Sequence, residues 1–344
     1  MKEEKQQAPE ITVLMSCYNG SRWLDEAIKS VLNQTFDNFE FIIVDDGSLD
    51  NSLSIIKHHS EKDSRIVVIT KSNTGLADSL NVGIGQARGE WIARLDADDI
   101  CEPNRLEKQL ALAKDDPRLV FIGSGLLEID ENGNGVKSFK YPEHHALLVK
   151  NLYSARKFPP HSSAMYRTNV VREMGGYRPR IKRAEDCDLW MRMSESGELG
   201  AIKEPLVRIR KHAGQISHDE AGRRQKVDSR VAMTSYWLRR LGFPDPVAAD
   251  DIMFESFHGW VADRLSQEQF FELWDFIKVV KEKVVEITQS PISIFLIIKF
   301  ILGKPHFFFR FLRFHLIGDL TARRLALDWA SKEKDMYGAS SEAG

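Results

Sequence analysis

The chain of 344 residues contains few cysteines, and none is placed for a metal or disulfide framework. The three residues, Cys17, Cys101 and Cys187, are widely spaced and form no C-x-x-C pair. These spacings argue against zinc sites and disulfide scaffolds, and they predict a reducing compartment. With 42% hydrophobic residues, a chain of this length can bury a sizeable core without covalent cross-links.

An excess of positive charge is also missing, because 48 basic residues are balanced by 50 acidic ones. A general nucleic-acid binder shows a strong basic excess, so we expect no nucleic-acid partner. No uninterrupted apolar run reaches the ~18 residues that a membrane-spanning helix needs. The first residues, MKEEKQQAPE, lack the apolar core of a cleaved signal, which disfavours secretion and predicts a cytoplasmic protein.

The first 125 residues alternate between two hydrophobic patterns. Four short apolar runs predict strands, at residues 11–15, 39–44, 65–70 and 91–95. The segments between them have helical spacing, as in Leu24, Ile28 and Val31, with Ser21 placed to cap that first helix. Strands alternating with helices predict an α/β fold with a mostly parallel sheet and helices on both faces.

The remaining chain is less regular, with turns marked by glycine and proline. We predict a strand at 161–166, a helix at 185–193, a strand at 206–209 and mainly helical structure beyond about residue 220. The predicted organisation is a polar tail at 1–9, a catalytic domain at 10–220 and a helical C-terminal region at 221–344. Within that domain, residues 10–125 form the nucleotide-binding half and residues 126–220 the acceptor-side half.

Acidic residues follow two of the predicted strands, as Asp45-Asp46 and as Asp96-x-Asp98-Asp99. Ligands of parallel sheets bind beyond the carboxyl ends of the strands. Carboxylates suit hard cations such as Mg²⁺ or Mn²⁺, which can neutralise a diphosphate leaving group. A short acidic run is often only a solvated turn or a helix cap. Two such runs at one sheet edge favour a site for a nucleotide and a metal.

Several stretches resemble, in order, the motifs of family 2 glycosyltransferases of the GT-A fold. They are ITVLMSCYN at 11–19, VDDGS at 44–48, NTGLA at 73–77, SLNVG at 79–83, GEWIARLDADD at 89–99 and AEDCDLWMR at 184–192. The likeness covers roughly residues 10–220. It implies an inverting transfer of a sugar from a nucleoside diphosphate sugar, such as a UDP-sugar, to an acceptor hydroxyl.

The resemblance also implies roles for individual residues. Asp46 would contact the base, with Tyr18 beside it, and Asp96 would hold the ribose. Asp98 would bind a divalent metal, Mn²⁺ or Mg²⁺, together with the donor diphosphate. Asp186 would be the general base that takes the proton from the acceptor hydroxyl.

The residues alone leave the choice of base open. Glu185, Asp186 and Asp188 all lie in the first turn of a predicted helix, where the dipole lowers a carboxyl pKa unless desolvation offsets it. Only the family motif selects Asp186, and it leaves Glu185 as an acceptor-side or structural residue. These acids could also serve merely to begin the helix.

Two histidines are further candidates. His212 follows the late strand in a region that resembles the family's, and we expect it to complete the metal shell or contact the diphosphate. An ordinary surface histidine is the alternative. His161 matches a recurring position of the family, where we expect a structural role near the acceptor.

Other functions fit the sequence less well. A nucleotidyltransferase would have a glycine-rich loop after the first strand, and a dinucleotide-binding dehydrogenase would have G-x-G-x-x-G there. A non-catalytic nucleotide-sugar binder would be favoured by loss of Asp98 or Asp186, and both are present. By analogy with the family we expect a glycan or lipid-linked saccharide acceptor, in bacterial-type surface polysaccharide, glycolipid or glycan assembly.

Residues 291–317 are strongly apolar and contain four basic residues and no acidic ones. Bulky apolar residues interleaved with basic ones are typical of a helix that lies on an anionic membrane surface. We expect this segment to dock the enzyme on the inner face of the cytoplasmic membrane. A core helix or a homodimer contact is the alternative.

Overall fold

The computed structural model describes residues 8–153, 157–212, 220–267, 322–323 and 325–332. These residues form two compact units. The first contains residues 8–152 and 157–212, and the second contains Tyr153 together with the described residues from 220 onward.

The first unit begins with four strands and three helices in alternation. They are β1 (Ile11–Cys17), α1 (Leu24–Leu32), β2 (Phe39–Asp45), α2 (Ser52–Ser60), β3 (Ile66–Thr70), α3 (Leu76–Gln86) and β4 (Trp91–Arg94). The strands lie in the order β3-β2-β1-β4, and all three pairings are parallel. The predicted α/β fold with a parallel sheet is confirmed in this region.

Helices cover both faces of β1. Ile11 and Met15 belong to one buried core cluster with Ile28 of α1. Leu14 belongs to the opposite face, since strand side chains alternate, and a Cβ built on Gly83 of α3 would lie 2.2 Å from it. Glycine at position 83 therefore lets α3 pack closely on the strand. Burial on both sides explains why β1 is almost continuously apolar.

Ser21 does not cap α1, contrary to the prediction. The helix begins at Leu24 with Trp23 in the N-cap position and without a side-chain capping bond. The Gly20 carbonyl accepts the N–H groups of both Trp23 and Leu24, so a tight turn separates Ser21 from the helix. The backbone N–H of Ser21 instead donates to Asp50 Oδ2 over 3.1 Å, which ties this turn to the loop after β2.

The second half of this unit extends the sheet. Its elements are β5 (Ile100–Cys101), α4 (Arg105–Asp115), β6 (Leu119–Ile129), β7 (Gly135–Phe139), α5 (His145–Tyr153), a 3₁₀ turn (His161–Ser163), β8 (Met165–Arg167), α6 (Thr168–Glu173), α7 (Glu185–Met193) and β9 (Glu198–Arg210). From β4 the order continues β8-β6-β9-β5, with β7 beside β6. β8 is antiparallel to β4 and β6, whereas β6 and β9 are parallel.

The predictions for this half were partly right. α7 has the predicted bounds, and the strand predicted at 206–209 is the end of the longer β9. The strand predicted at 161–166 begins as a 3₁₀ turn, because Ser163 donates both its N–H and its hydroxyl to the Pro160 carbonyl. The strand itself begins only at Met165.

The described residues of the second unit are mainly helical, as predicted. They include α8 (Glu220–Arg240), α9 (Asp251–Gln267) and helical residues at 325–332. Trp329 packs edge-on against Phe257 and Trp260, with ring centroids 5.0 and 5.3 Å apart.

The predicted membrane-surface segment, residues 291–317, lies outside the described residues. It stays a prediction, which flotation with anionic liposomes would test. Among the residues that are described, no helix is long and apolar enough to cross a membrane.

Candidate active site

The loop after β2 holds the first candidate residue, Asp46. Its buried carboxylate accepts the backbone N–H groups of Thr74 and Gly75 over 3.0 and 2.9 Å, and it forms an ion pair with Lys71 Nζ. Burial raises the pKa of this carboxyl, but the three donors outweigh burial and lower the pKa overall. Asp46 is therefore an ionised hydrogen-bond acceptor with a fixed orientation.

The end of β1 lies next to that loop and carries Tyr18, whose side chain is 49% exposed. The following residue, Asn19, has φ of +52°, a conformation that asparagine tolerates better than most residues. Asn19 Oδ1 accepts the N–H of Leu49 over 2.7 Å, and its own N–H donates to Ser48 Oγ over 3.0 Å. These bonds join the two loops and leave the Tyr18 ring accessible for stacking with a planar ligand.

Three acidic residues follow β4. One carboxylate oxygen from each of Asp96, Asp98 and Asp99 lies within 4.8 Å of the others. Within the described ranges, this is the one group of three or more His, Cys, Asp or Glu residues close enough to hold a metal ion. Hard divalent cations prefer such carboxylate oxygens. The residues present therefore fit a Mg²⁺ or Mn²⁺ ion.

Two buried groups fix the carboxylate of Asp96. Arg94, the last residue of β4, forms an ion pair with Asp96 Oδ1 and donates from Nη1 to Ser162 Oγ over 3.0 Å. The Ser162 hydroxyl lies 2.7 Å from Asp96 Oδ2 and also donates to Asp99 Oδ2. Burial raises the pKa of Asp96, but the charge and hydrogen bond of Arg94 outweigh burial and lower it.

The other two carboxyl groups behave differently. Burial and the charge of Asp96 raise the pKa of Asp98, and burial with the charges of Asp96 and Asp98 raises that of Asp99 well above its usual range. Arg210 holds their loop through its backbone N–H to Asp99 Oδ1 at 3.0 Å and its Nε to the Asp98 carbonyl at 3.1 Å. A bound cation would favour the ionised forms of both acids, because a nearby opposite charge lowers a carboxyl pKa.

His212 lies beside the acidic cluster. Its Nε2 is 2.8 Å from Asp98 Oδ2, and its ring packs on Trp23 with centroids 4.4 Å apart. The Trp23 indole N–H donates to the Glu131 carbonyl over 3.3 Å. The hydrogen bond to Glu131 fixes the Trp23 indole, and the indole packs on the imidazole of His212, whose Nε2 faces Asp98.

The three acids of α7 differ in what surrounds them. Asp188 is buried and accepts hydrogen bonds from Nε of Arg178 and of Arg192, each at 3.0 Å. Burial and the charge of Asp186 raise the pKa of Glu185 to about 8. Burial also raises the pKa of Asp186, against a hydrogen bond from the N–H of its neighbour Cys187. Asp188 thus has a structural role, because its carboxylate binds two arginine side chains.

His161 belongs to an aromatic cluster next to this site. Its Nε2 lies 2.6 Å from the hydroxyl of Tyr177, which is 3.3 Å from the hydroxyl of Tyr166. Burial and the charge of Arg94 hold the pKa of His161 well below its usual range, so the ring is neutral. Trp190 packs edge-on against the same ring, with centroids 5.8 Å apart.

A family model and similar proteins of known sequence indicate the class of this chain. A family model described as "Glycosyl transferase family 2" matches residues 12–175. An uncharacterized glycosyltransferase of Haemophilus influenzae is 32% identical over 279 residues, which cover 77% of this chain and 86% of that protein. This chain belongs to glycosyltransferase family 2. A second relative, the O-antigen biosynthesis glycosyltransferase WbnJ of Escherichia coli, is 33% identical over 189 residues, covering 53% of this chain and 71% of WbnJ.

Solved structures share the fold of this family 2 glycosyltransferase. Staphylococcus aureus TarS 1–349 in complex with UDP-GlcNAc matches with a TM-score of 0.57 at 21% identity, over 67% of this chain and 66% of that one. The mannosyltransferase PcManGT of Pyrobaculum calidifontis, in complex with GDP-Man and Mn²⁺, matches with a TM-score of 0.52 at 15% identity. That match covers 92% of this chain and 87% of PcManGT. The GT-A fold implied by the sequence is confirmed.

The fold places several of the predicted site residues of this glycosyltransferase near one another. Asp98 contacts His212, and the charges of Arg94 and Asp96 act on Glu185, Asp186 and His161. Tyr18 and Asp46 lie in the adjacent loops after β1 and β2.

The sequence analysis missed four polar residues of the site. They are Lys71, Arg94, Ser162 and Arg210. The signal that could have exposed Arg94 is a charged residue inside an otherwise apolar strand. Lys71, Ser162 and Arg210 carry no local signal, because the acids that they contact, Asp46, Asp96 and Asp99, are distant along the chain.

Proposed function

We propose that this glycosyltransferase moves a sugar from a nucleoside diphosphate sugar to an acceptor hydroxyl with inversion at the anomeric carbon. The observation that carries the proposal is the acidic cluster at the end of β4, one strand away from the β1 end and near the carboxyl groups of α7. Such an arrangement can hold a diphosphate on one side of the sugar and a proton acceptor on the other.

Asp46 and Tyr18 are proposed to bind the nucleoside of the donor. The ionised Asp46 carboxylate can accept an N–H of the base, as the imide N–H of uracil would supply. Tyr18 offers an exposed ring beside it. Asp96 is ionised and held by Arg94 and Ser162, which suits a carboxylate that accepts hydrogen bonds from ribose hydroxyls. Complexes of two fold relatives, TarS with UDP-GlcNAc and PcManGT with GDP-Man, support a nucleotide-sugar donor.

Asp98 is proposed to hold a divalent cation, with His212 as a further ligand or as the group that orients the carboxylate. When bound, the cation would neutralise the charge of the departing diphosphate. Arg210 holds the main chain of Asp98 and Trp23 packs on His212, which supports a fixed placement of both side chains. The complex of PcManGT with Mn²⁺ supports a divalent cation in an enzyme of this fold.

Asp186 is proposed to be the general base. Its carboxylate takes the proton of the acceptor hydroxyl while the acceptor oxygen forms the bond to the anomeric carbon. The bond from that carbon to the diphosphate breaks, and its electron pair leaves with the diphosphate. The surroundings of α7 support this choice, because Asp188 is paired with two arginines and Glu185, with a pKa of about 8, is protonated at neutral pH. A raised pKa makes Asp186 a better proton acceptor.

The acceptor is proposed to be a growing saccharide of a bacterial-type surface polysaccharide or glycolipid. Similarity to the O-antigen biosynthesis glycosyltransferase WbnJ supports this assignment.

A panel of nucleotide sugars tests the proposal. The melting temperature of the full chain is measured with each UDP-, GDP- and dTDP-sugar, with and without Mn²⁺, and hydrolysis is followed in parallel. A ligand at 100 times its Kd stabilises the folded state by ~2.7 kcal/mol, which is readily measured. We expect one donor to stabilise the protein in a Mn²⁺-dependent way. If no donor stabilises the wild type more than the Asp98→Ala variant, the proposed donor site is wrong.

A further inference from the structure

The 3₁₀ turn at His161–Ser163 places one hydroxyl between the acids of the metal cluster. Ser162 is 1% exposed, and its Oγ contacts Oδ2 of both Asp96 and Asp99 while it accepts from Arg94 Nη1 over 3.0 Å. The backbone N–H of Asp96 also donates to this oxygen over 3.3 Å. A single hydroxyl thus connects two of the three acidic residues with the buried arginine.

The main chain around Ser162 is anchored independently of that hydroxyl. Arg94 donates its backbone N–H to the Ala164 carbonyl over 2.8 Å. The buried guanidinium of Arg105 donates to the carbonyls of Arg94 and Ala164 over 2.8 and 3.2 Å. The hydroxyl oxygen of Ser162 is therefore held at a defined position by the scaffold.

We propose that Ser162 is a positioning residue of the metal and donor site. Its hydroxyl sets the separation of the Asp96 and Asp99 carboxylates and so keeps the acidic cluster in the arrangement that accepts the cation. This inference rests on the proposed function, since it requires that a divalent cation binds at this cluster. Asp96 and Asp99 belong to the same acidic cluster as Asp98, so this hydroxyl acts on the cation through the neighbours of the proposed ligand. Hydrogen-bond partners behind metal ligands typically change metal affinity by ~10–100-fold when they are removed, and we expect the lower end of that range.

Ser163 supplies a matched control in the same turn. It is also fully buried, and its hydroxyl donates to the Pro160 carbonyl over 2.9 Å and accepts the Ser124 N–H over 3.3 Å. Ser162 and Ser163 therefore share burial and backbone setting. The Ser162 hydroxyl contacts Asp96 and Asp99, whereas the Ser163 hydroxyl bonds to the main chain of Pro160 and Ser124. Their alanine variants therefore separate positioning of the acids from packing.

The test measures Mn²⁺ binding by the full chain through the electron paramagnetic resonance signal of free Mn²⁺. We expect Ser162→Ala to bind Mn²⁺ about tenfold more weakly than the wild type, and Ser163→Ala to bind within about twofold, even where it lowers the melting temperature. Ser162→Cys keeps the volume, weakens the hydrogen bond and carries the same expectation, should the alanine variant not fold.

Two results would overturn the inference. In the first, a folded Ser162 variant binds Mn²⁺ within about twofold of the wild type. In the second, Ser162→Ala and Ser163→Ala weaken Mn²⁺ binding equally. Asp98→Ala separates this failure from that of the proposed function. If Asp98→Ala binds Mn²⁺ as the wild type does, the metal does not bind at Asp98, and the proposed metal site falls together with the role of Ser162.

Discussion

Asp96, after β4, and Asp186, at the start of α7, are the same residue type in opposite electrostatic settings. Burial raises the pKa of both Asp96 and Asp186, but Arg94 and Ser162 reverse the effect at Asp96. At Asp186 the raised pKa persists, and its neighbour Glu185 reaches a pKa of about 8. Asp96 stays an ionised carboxylate beside the buried guanidinium of Arg94, whereas the pKa values of Glu185 and Asp186 are both raised.

This difference indicates a division of labour. A carboxylate that accepts hydrogen bonds from ribose hydroxyls, as proposed for Asp96, functions best when it is always ionised, whereas a general base needs a pKa near the working pH. Pairs of acids whose surroundings separate their pKa values mark acid–base roles in many enzymes. The comparison therefore favours α7 as the source of the base, and it can be tested one residue at a time.

The largest effect is expected for Asp186→Asn. The amide is nearly the same size as the carboxylate but cannot take a proton, so kcat should fall by ~10²–10⁴-fold while donor binding persists. The measurement is steady-state transfer with the donor identified by the nucleotide-sugar panel. Glu185→Gln is the matched control, and because Glu185 is already protonated at neutral pH we expect its kcat to change little. A reversed pattern would assign the base to Glu185.

Asp98→Ala should have the next largest effect. Removing one preorganised electrostatic contact to a transition state costs ~10²–10³-fold in kcat. EDTA should reproduce the loss in the wild type, and added Mn²⁺ should reverse it. The exposed Asp115→Ala variant controls for loss of a surface carboxylate. Full turnover of the wild type in EDTA would contradict the assignment of a metal to Asp98.

The region around β1 to β4 could be predicted from sequence for a simple physical reason. Strands buried on both faces must be apolar throughout, and the helices between them must have an apolar stripe. Both the continuous apolar runs and the helical spacing are therefore visible in the sequence. The exposed strand β7 could not be predicted, because all its residues from Gly135 to Ser138 face solvent and no alternation results.

The candidate site could be predicted only where chemistry is local. The acidic cluster forms a recognisable motif by itself, because its three members lie within four residues, at Asp96, Asp98 and Asp99. Ser162 reaches the same site from 66 residues away in sequence, and Arg210 from 112. Serine and arginine at such positions look like ordinary loop and strand residues until the fold brings them together.

A smaller effect is expected for Lys71→Met, which changes the nucleoside end of the site. Lys71 Nζ pairs with Asp46 and also contacts Thr74 Oγ1 at 2.6 Å and Ser79 Oγ at 3.2 Å. Without the Lys71 ammonium group the Asp46 carboxylate is less firmly held. KM for the donor should therefore rise about tenfold, which corresponds to a loss of ~1.4 kcal/mol in binding free energy. Exposed Lys62→Met is the control. A loss confined to kcat would place Lys71 in the chemical step instead.

The smallest effect is on stability and concerns Glu185. The pKa of Glu185 is about 8 in the folded protein and has its ordinary lower value in the unfolded chain. Between these two pH values, Glu185 takes up a proton when the chain folds. The folded state then binds more protons than the unfolded state, so stability falls as pH rises through that interval. Glu185→Gln removes this dependence, because glutamine has no proton to lose.

The melting temperature of Glu185→Gln minus that of the wild type should therefore increase from pH 5 to pH 9. We expect a final gap of at least ~2–4 °C, the shift that about 1 kcal/mol produces in a domain of 150–250 residues, because a difference of one pKa unit between the folded and unfolded states is already worth about 1.4 kcal/mol. The exposed Glu61→Gln variant, measured over the same pH series, corrects for the general effect of removing an acid. A gap that is constant with pH would mean that Glu185 is ionised in the folded protein. The contrast between α7 and Asp96 would then rest on Asp186 alone.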